Sequence, residues 1–169
     1  PKLLVLDTRH LPDRQETKRG TGYVNLLEQE LVVLILQAFA RLAIFQNSLA
    51  DDVGAGLPTI GVIAPYRRQV EELEHRVQRD PLLKALVRKK ALHVGTVDSF
   101  QGLEKDLIIF SCTRSNPQGR LGFVDNRQRL NVAFSRARCR LIVLADGCTV
   151  ERARLRTDVS GIEAETRDH

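Results

Sequence analysis

The stretch Leu92–Cys112 reads LHVGTVDSFQGLEKDLIIFSC, two short apolar runs, Leu92–Thr96 and Leu107–Cys112, either side of a polar segment. Both runs are too short for helices and too apolar for exposed edges, the pattern of parallel strands covered on both faces. Lys2–Asp7 (KLLVLD), Ile60–Ala64 (IGVIA) and Leu141–Ala145 (LIVLA) are three more of the same kind. Between them, Leu27, Leu31, Leu34, Ile35, Ala38 and Leu42 recur at helical spacing and predict a long buried helix from Val24 to about Gln46. Val70, Leu73 and Val77 predict a second helix over Tyr66–Arg79, while Arg9–Thr21 and Asn47–Thr59, rich in charge, Gly and Pro, read as loops. Five strands joined by helical crossovers make an α/β layered sheet.

The 169 residues have ordinary globular composition, 43% hydrophobic and 28% charged, with no internal repeat. A chain of this length buries about two-thirds of its unfolded surface, so folding needs no disulfide or metal staple. The reading is one domain over residues 1–146, followed by a charged tail over 147–169 that is either helical or disordered. The longest aliphatic run, Leu31–Leu36, falls far short of the roughly 20 apolar residues of a membrane span, and the N-terminus does not read as a signal peptide. Cys112, Cys139 and Cys148 are too few and scattered for a zinc framework and are expected to be small buried hydrophobes. His10, His75, His93 and His169 lack ligand spacing, so no metal site is expected on this chain, and an intracellular setting is. The chain opens at Pro1 and contains no Met, as expected of a piece of a longer protein.

The formal net charge is +5, and 20 of the 26 basic residues are Arg, whose planar guanidinium clamps phosphate and carboxylate in bidentate fashion. Polyanionic partners and mere solubility are both consistent with that surplus. In α/β sheets ligands bind at the carboxyl ends of strands, which directs attention to Pro65, Tyr66 and Gln69, to Thr96, Asp98, Ser99, Gln101, Gly102 and Glu104, and to Thr113 and Arg114. These polar clusters are expected together at one sheet edge. Asp125 or Asn126 can cap a following helix in which Arg129 and Arg136, seven residues apart, nearly share a face. Two such cations suit a triphosphate, whereas the bland reading is a solvated arginine face.

These residues also carry a family resemblance. VGTVDSFQGLEKDLIIFSCTRS (Val94–Ser115) and GFVDNRQRLNVAFSRARCRLIVLAD (Gly122–Asp146) resemble motifs V and VI of superfamily-one helicases of the up-frameshift type. IGVIAPYRRQ (Ile60–Gln69) is similar to their motif IV region, and GTGYVNLLEQE (Gly20–Glu30) resembles the segment between motifs IIIa and IV. The resemblance implies the second of two RecA-like domains, a three-layer parallel sheet of the P-loop NTPase type. It further implies ATP with Mg²⁺ bound between the two domains, and single-stranded DNA or RNA running across both.

Carried over position by position, the resemblance makes Arg136 the arginine finger and Glu104 the γ-phosphate-sensing acid. Gln101 and Gly102 belong to the segment that in relatives couples the nucleotide cleft to the nucleic-acid track. Thr96 matches a phosphate-contacting position, with Val97, Asp98 and Ser99 in the same segment; helix capping is the structural alternative for Thr96 and Ser99. Pro65, Tyr66 and Gln69 match positions near the strand; Tyr66 could stack on a base or cap the core. Tyr23 and Asn25 sit where relatives approach the nucleotide, Arg129 joins Arg136 in the nucleotide set, and Glu28 matches a recurrent acid. Leu26 stands where relatives often carry Arg, so a phosphate contact does not carry over there.

The 169 residues contain no G-x-x-x-x-G-K-[ST] phosphate loop. That loop and the Mg²⁺ ligands are expected in a first RecA-like domain of the same protein. The reading is therefore the second motor domain of an ATP-dependent helicase, monomeric, inactive alone; the alternative is a binding module that keeps the fold without turnover.

Overall fold

A computed structural model describes residues 1–42 and 56–154. Five strands form one parallel sheet: β1 (Lys2–Asp7), β4 (Ile60–Ile63), β5 (Leu92–Gly95), β6 (Lys105–Ser111) and β7 (Ala137–Ala145), in the order β1-β7-β6-β4-β5. All five were expected from the apolar runs, and the α/β three-layer reading holds. The other four strands begin and end within two residues of their runs, but β7 starts four residues earlier, at Ala137, where Arg138, Cys139 and Arg140 are exposed and no apolar signal exists.

Side chains alternate between the two faces. Leu107 and Ile109 of β6 join Val62, Val94, Ile142 and Leu144 beneath α1 (Leu26–Ala40), α2 (Arg67–Arg79) and α3 (Pro81–Arg88). Ile108 and Phe110 face the other way, with Ile63, Leu141 and Val143, and are covered by Val97 and Phe100 of the β5–β6 crossover and by Ala133 of α4 (Arg127–Ser135). Helices α2 and α3 meet at Asp80, whose carboxylate accepts hydrogen bonds from the Leu82 and Leu83 amides, while Pro81 occupies the first helical position, where no N–H is needed. Gln37 donates to the same carboxylate at 2.6 Å and ties α1 to this corner.

Helix α1 corrects the sequence reading in register and length. It ends at Ala40 rather than near Gln46; residues 43–55, which include much of the Asn47–Thr59 loop, lie outside the described residues. Its fully buried face is Glu28, Gln29, Val32, Leu36 and Ala40, while Leu34 and Leu42 of the expected stripe are 60% and 49% exposed. The helix is apolar almost all round, so periodicity could not choose a face; the polar contacts of Glu28 and Gln29 do. A short hairpin, β2 (Thr17–Arg19) with β3 (Gly22–Val24), occupies the end of the expected Arg9–Thr21 loop. Residues 147–154 are helical, and 155–169 lie outside the described residues. Among the described residues strand β1 has one neighbour, β7, and leaves Leu3, Leu4 and Val5 exposed.

Candidate functional site

The polar residues do not gather at one edge. Pro65, Tyr66, Thr96 and Asp98 follow the carboxyl ends of β4 and β5, but Glu104 immediately precedes β6 and Arg136 immediately precedes β7. Seven residues of β6, at about 3.3 Å each, put roughly 20 Å between these two ends of the sheet. The segment from Thr96 to Glu104 crosses from one end to the other, because β5 and β6 are parallel and separated by β4. Sequence order alone hid this, since all nine residues follow one strand.

At the amino-terminal end the Lys105 amide donates to the Arg136 carbonyl at 2.9 Å, which fixes Glu104 beside the end of α4. Arg136 is the C-cap of that helix and half-buried. Its Nε donates to the Val132 carbonyl at 3.0 Å and one terminal nitrogen donates to Ser135 Oγ at 3.2 Å. The guanidinium is thus held by its inner nitrogen with its outer fork still able to bind an anion. Glu104, Gln101 and Gly102 are exposed here, and Gly102 has φ +79°, a left-handed turn. Among the described residues no group of three His, Cys, Asp or Glu side chains could hold a metal ion.

Three residues expected with Arg136 and Glu104 in the nucleotide set stand apart from that pair. Arg129 lies two turns from Arg136, about 10 Å along the helix, and points to Asp98 at 3.9 Å and over the Phe123 ring at 5.1 Å. Tyr23 packs against Tyr66, and Asn25 is fully buried as the N-cap of α1, accepting from the Glu28 amide and donating to the Arg14 and Thr113 carbonyls. Both stand at the carboxyl-terminal end, with no line to Glu104. A shared helix face does not bring two arginines to one ligand when the helix is nine residues long and each end meets a different neighbour.

The carboxyl-terminal end forms a groove of about 580 Å³ whose lining includes Gly22, Pro65, Arg67, Arg68, Thr96 and Phe123. Arg129 and Asp98 also face it. Arg67 and Arg68 pair with Glu71 at 3.1 and 3.0 Å but are 87% and 61% exposed, so these pairs hold them loosely and leave them available. Ser99 donates its hydroxyl to the Thr96 carbonyl at 2.8 Å, a bond within the turn and not a helix cap, and packs against Gly95, where a Cβ would collide with it. Val97 is buried under the sheet and does not face the groove with its side chain.

Gln69 is a correction of another kind. It is fully buried, accepts from the Asn25 amide and Gln29 Nε2 at 2.9 Å each, and donates to the Asn25 carbonyl and Ser111 Oγ, so its side chain is spent on joining α1, α2 and β6. Tyr66 is 5% exposed and has chosen the core: its hydroxyl accepts from Arg114 at 3.0 Å, with Tyr23 and Phe123 edge-to-face on either side. Arg114 also stacks 4.1 Å from the Tyr23 centroid and pairs with the buried Glu16 at 2.9 Å. Gly122, at φ +58°, lets the next turn close on this cluster; a Cβ there would strike the Tyr66 hydroxyl and the Arg114 guanidinium. Phe123 carries no sequence signal beyond an aromatic directly after a glycine, Gly122.

Glu28 lies just behind the groove, fully buried between α1 and the end of β6. Its Oε2 accepts from Ser111 Oγ at 2.5 Å and from the Thr113 amide at 2.8 Å, while Oε1 has no partner among the described residues. Burial pushes the carboxyl up to about 7, against those two hydrogen bonds and with the help of the nearby Asp146 and Glu16 charges. The Thr113 amide it holds belongs to a β-branched residue at φ +67°, a conformation that needs such support. Of the cysteines, Cys112 is buried as expected, with its thiol pushed well up by burial, whereas Cys139 is exposed and Cys148 half-buried.

Comparison with known proteins agrees with this architecture. The family model described as "AAA domain" matches residues 1–147. The chain is 39% identical over 127 residues to regulator of nonsense transcripts 1 of Dictyostelium discoideum, covering 75% of this chain and 9% of that protein. It is 35% identical over 127 residues to the ATP-dependent helicase upf1 of Schizosaccharomyces pombe, 75% of this chain and 12% of the relative. It is 34% identical over 150 residues to the DNA replication ATP-dependent helicase/nuclease DNA2 of Bos taurus, 88% and 12% respectively. The chain thus spans about a tenth of these relatives' length. With a five-stranded parallel sheet of RecA-like order and a match over nearly its whole length, the chain belongs to this AAA-domain family, as an up-frameshift-type superfamily-one helicase domain.

Proposed function

We propose that this domain is the second motor domain of an ATP-dependent helicase, with a nucleotide edge at the amino-terminal ends of β6 and β7 and a single-strand track at the opposite end of the sheet. The observation that carries the reading is that the Lys105–Arg136 backbone bond brings the Glu104 and Arg136 positions to one edge, well away from the arginine-lined groove. The names of the relatives, which include ATP-dependent helicases, support it.

When bound, ATP with Mg²⁺ supplies the phosphoryl group to be transferred. A half-buried guanidinium anchored by Nε and one terminal nitrogen fits an anionic ligand, because it presents its remaining donors without losing side-chain freedom on binding. Arg136 would stabilise charge on the phosphoryl oxygens, the part an arginine finger plays in phosphoryl transfer. Glu104 would sense the same oxygens through a bridging water, cation or arginine, since a carboxylate placed directly on phosphate is repelled. Gln101 and Gly102 complete this edge. Tyr23, Asn25 and Arg129 take no part in it; their positions support a role in shaping the strand end instead.

At that strand end Thr96 offers a hydroxyl and Pro65 and Asp98 shape the floor, with Ser99 behind them holding the Thr96 carbonyl, while Arg67, Arg68 and Arg129 supply positive charge. Contacts of this kind hold a backbone without reading sequence. The 169 residues hold no phosphate loop, so turnover on this reading requires an opposing domain that carries one, and the isolated chain is inactive.

The test is ATP hydrolysis by the intact protein, with and without a single-stranded oligonucleotide, comparing the native sequence with Arg136→Ala. Strand-stimulated turnover that falls by about 10³–10⁵, with strand affinity little changed, is the expected result. Turnover that is absent in both, or unchanged by the substitution, would leave a binding module that keeps the fold without its engine.

A further inference from the structure

We propose that Phe123 is a base-stacking platform in the single-strand track, an inference that rests on the reading of the groove given above. The ring sits in the 3-10 turn Gly122–Asp125 and is 49% exposed, although Tyr66 behind it is buried. Its position is fixed from two sides. Tyr66 packs edge-to-face at 5.3 Å with planes 71° apart, and Tyr66 is itself locked by Tyr23 and by the Arg114 hydrogen bond. Arg129 places its guanidinium 5.1 Å from the ring centroid. A half-exposed phenyl ring held this firmly has little conformational freedom left to lose when a ligand stacks on it.

The chemistry around the ring selects the occupant. Arg67, Arg68 and Arg129 line the same groove with the carboxylates of Glu71 and Asp98, a surplus of positive charge, so an apolar ligand would have to sit among charged groups, whereas a planar base joined to a phosphate stacks on the ring and meets the surplus guanidinium charge. The same geometry explains why Tyr66, the aromatic that the sequence singles out, is not the platform: its hydroxyl and both neighbours are already engaged, leaving it 5% exposed. Tyr66 is the support and Phe123 the surface it presents. Stacking of this kind accepts any base, so the platform contributes affinity and register without sequence preference.

The experiment measures binding of the 169-residue chain to a 12-nucleotide oligothymidylate and to an abasic 12-mer of equal backbone charge, by fluorescence anisotropy at low salt. The native chain is expected to favour the thymidylate strand by between about 5- and 150-fold, the range for one stacked base. Phe123→Ala and Phe123→Leu are expected to lose that preference while binding the abasic strand as the native chain does, which also shows that they are folded. Phe123→Trp should keep it. If the native chain binds both strands equally, or if Phe123→Ala retains the preference, the platform is refuted and the phosphate track stands. If the native chain binds neither strand, the groove is not a nucleic-acid track and both readings fall together.

Discussion

Glu28→Gln should convert a pH-dependent protein into one far less so. The Glu28 carboxyl is fully buried and its pKa is raised from 4.5 to about 7, first by desolvation. Because the folded-state value lies above the unfolded one, the folded chain binds the extra proton between these two pH values, and stability falls as pH rises through that window. The contribution is fully present below about pH 4.5 and lost above about pH 7. A 2.5-unit difference corresponds to about 3 kcal/mol in all, of which about 2.5 kcal/mol falls between pH 5 and pH 8. Glutamine keeps an acceptor for Ser111 and Thr113 but cannot ionise. Urea unfolding of both proteins at pH 5 and pH 8 isolates the effect, since groups elsewhere titrate alike in the two. Relative to the native chain, Glu28→Gln should gain about 1 M in midpoint between these pH values, taking a slope of about 2 kcal/mol per molar urea. Parallel pH profiles, with a double difference under about 0.5 kcal/mol, would show that Glu28 is hydrated or otherwise paired and that the buried network is misread.

Other perturbations follow from the same geometry. Gly122→Ala must adopt a left-handed φ and push against Tyr66 and Arg114, and should lower stability by about 1–3 kcal/mol in denaturant titration, with Phe123 displaced; an unchanged midpoint would contradict the close packing. Arg114→Ala removes the counter-ion of the Glu16 carboxylate, which keeps hydrogen bonds from the Ser115 amide and Asn116 Nδ2, and should lose about 1.5–3 kcal/mol, part of it recovered by adding Glu16→Gln, a non-additivity that a double-mutant cycle reads directly. With three guanidinium groups on the groove, log affinity for a single strand should fall against log salt with a slope of about −2, and Arg68→Ala should flatten it by about 0.7; a slope near zero would remove the phosphate-dominated account.

The parallel sheet was legible because its strands are buried on both faces, and such strands write themselves as uninterrupted apolar runs. Strand β7 shows the limit of that signal: among its first four residues Ala137 and Arg140 pair with Lys105 and Leu107 of β6 across a register shift, and only Ala137 is buried, so strand pairing extends β7 where hydropathy is silent. Helix α1 failed for the opposite reason, an excess of apolar residues, which left the choice of face to two polar ones. The helicase motifs identified Arg136, Glu104 and Thr96 as chemistry-bearing types, yet they could not report that a crossover carries Glu104 to the far end of the sheet. Gln69 and Asn25 resembled ligand contacts because amides serve equally well to satisfy buried backbone, and only the contact pattern separates the two uses. Phe123 was missed because its exposure depends on Tyr66 having filled the space behind it.

The separation of the two ends also says what a motor built on this domain must transmit, and through what. Thr96 at the groove and Glu104 at the opposite edge are joined by eight peptide bonds, and the middle of that segment is pinned by Val97 and Phe100 packed against the sheet. Gly61 lies directly beneath, where a Cβ would strike Phe100 and Ile108, so the crossover sits too close to the sheet for an independent hinge there. A change in the position of Glu104 relative to a bound nucleotide therefore moves the sheet and the groove with it as one packed body. On the proposed reading this domain works as a rigid arm: its Arg136 edge responds to phosphate, its groove carries the strand, and the movement that matters lies between this body and the one that holds the nucleotide. Loosening the crossover by Phe100→Ala should then uncouple strand-stimulated hydrolysis in the intact protein while leaving single-strand affinity within a few-fold, and equal loss of both would instead mark Phe100 as a core residue and nothing more.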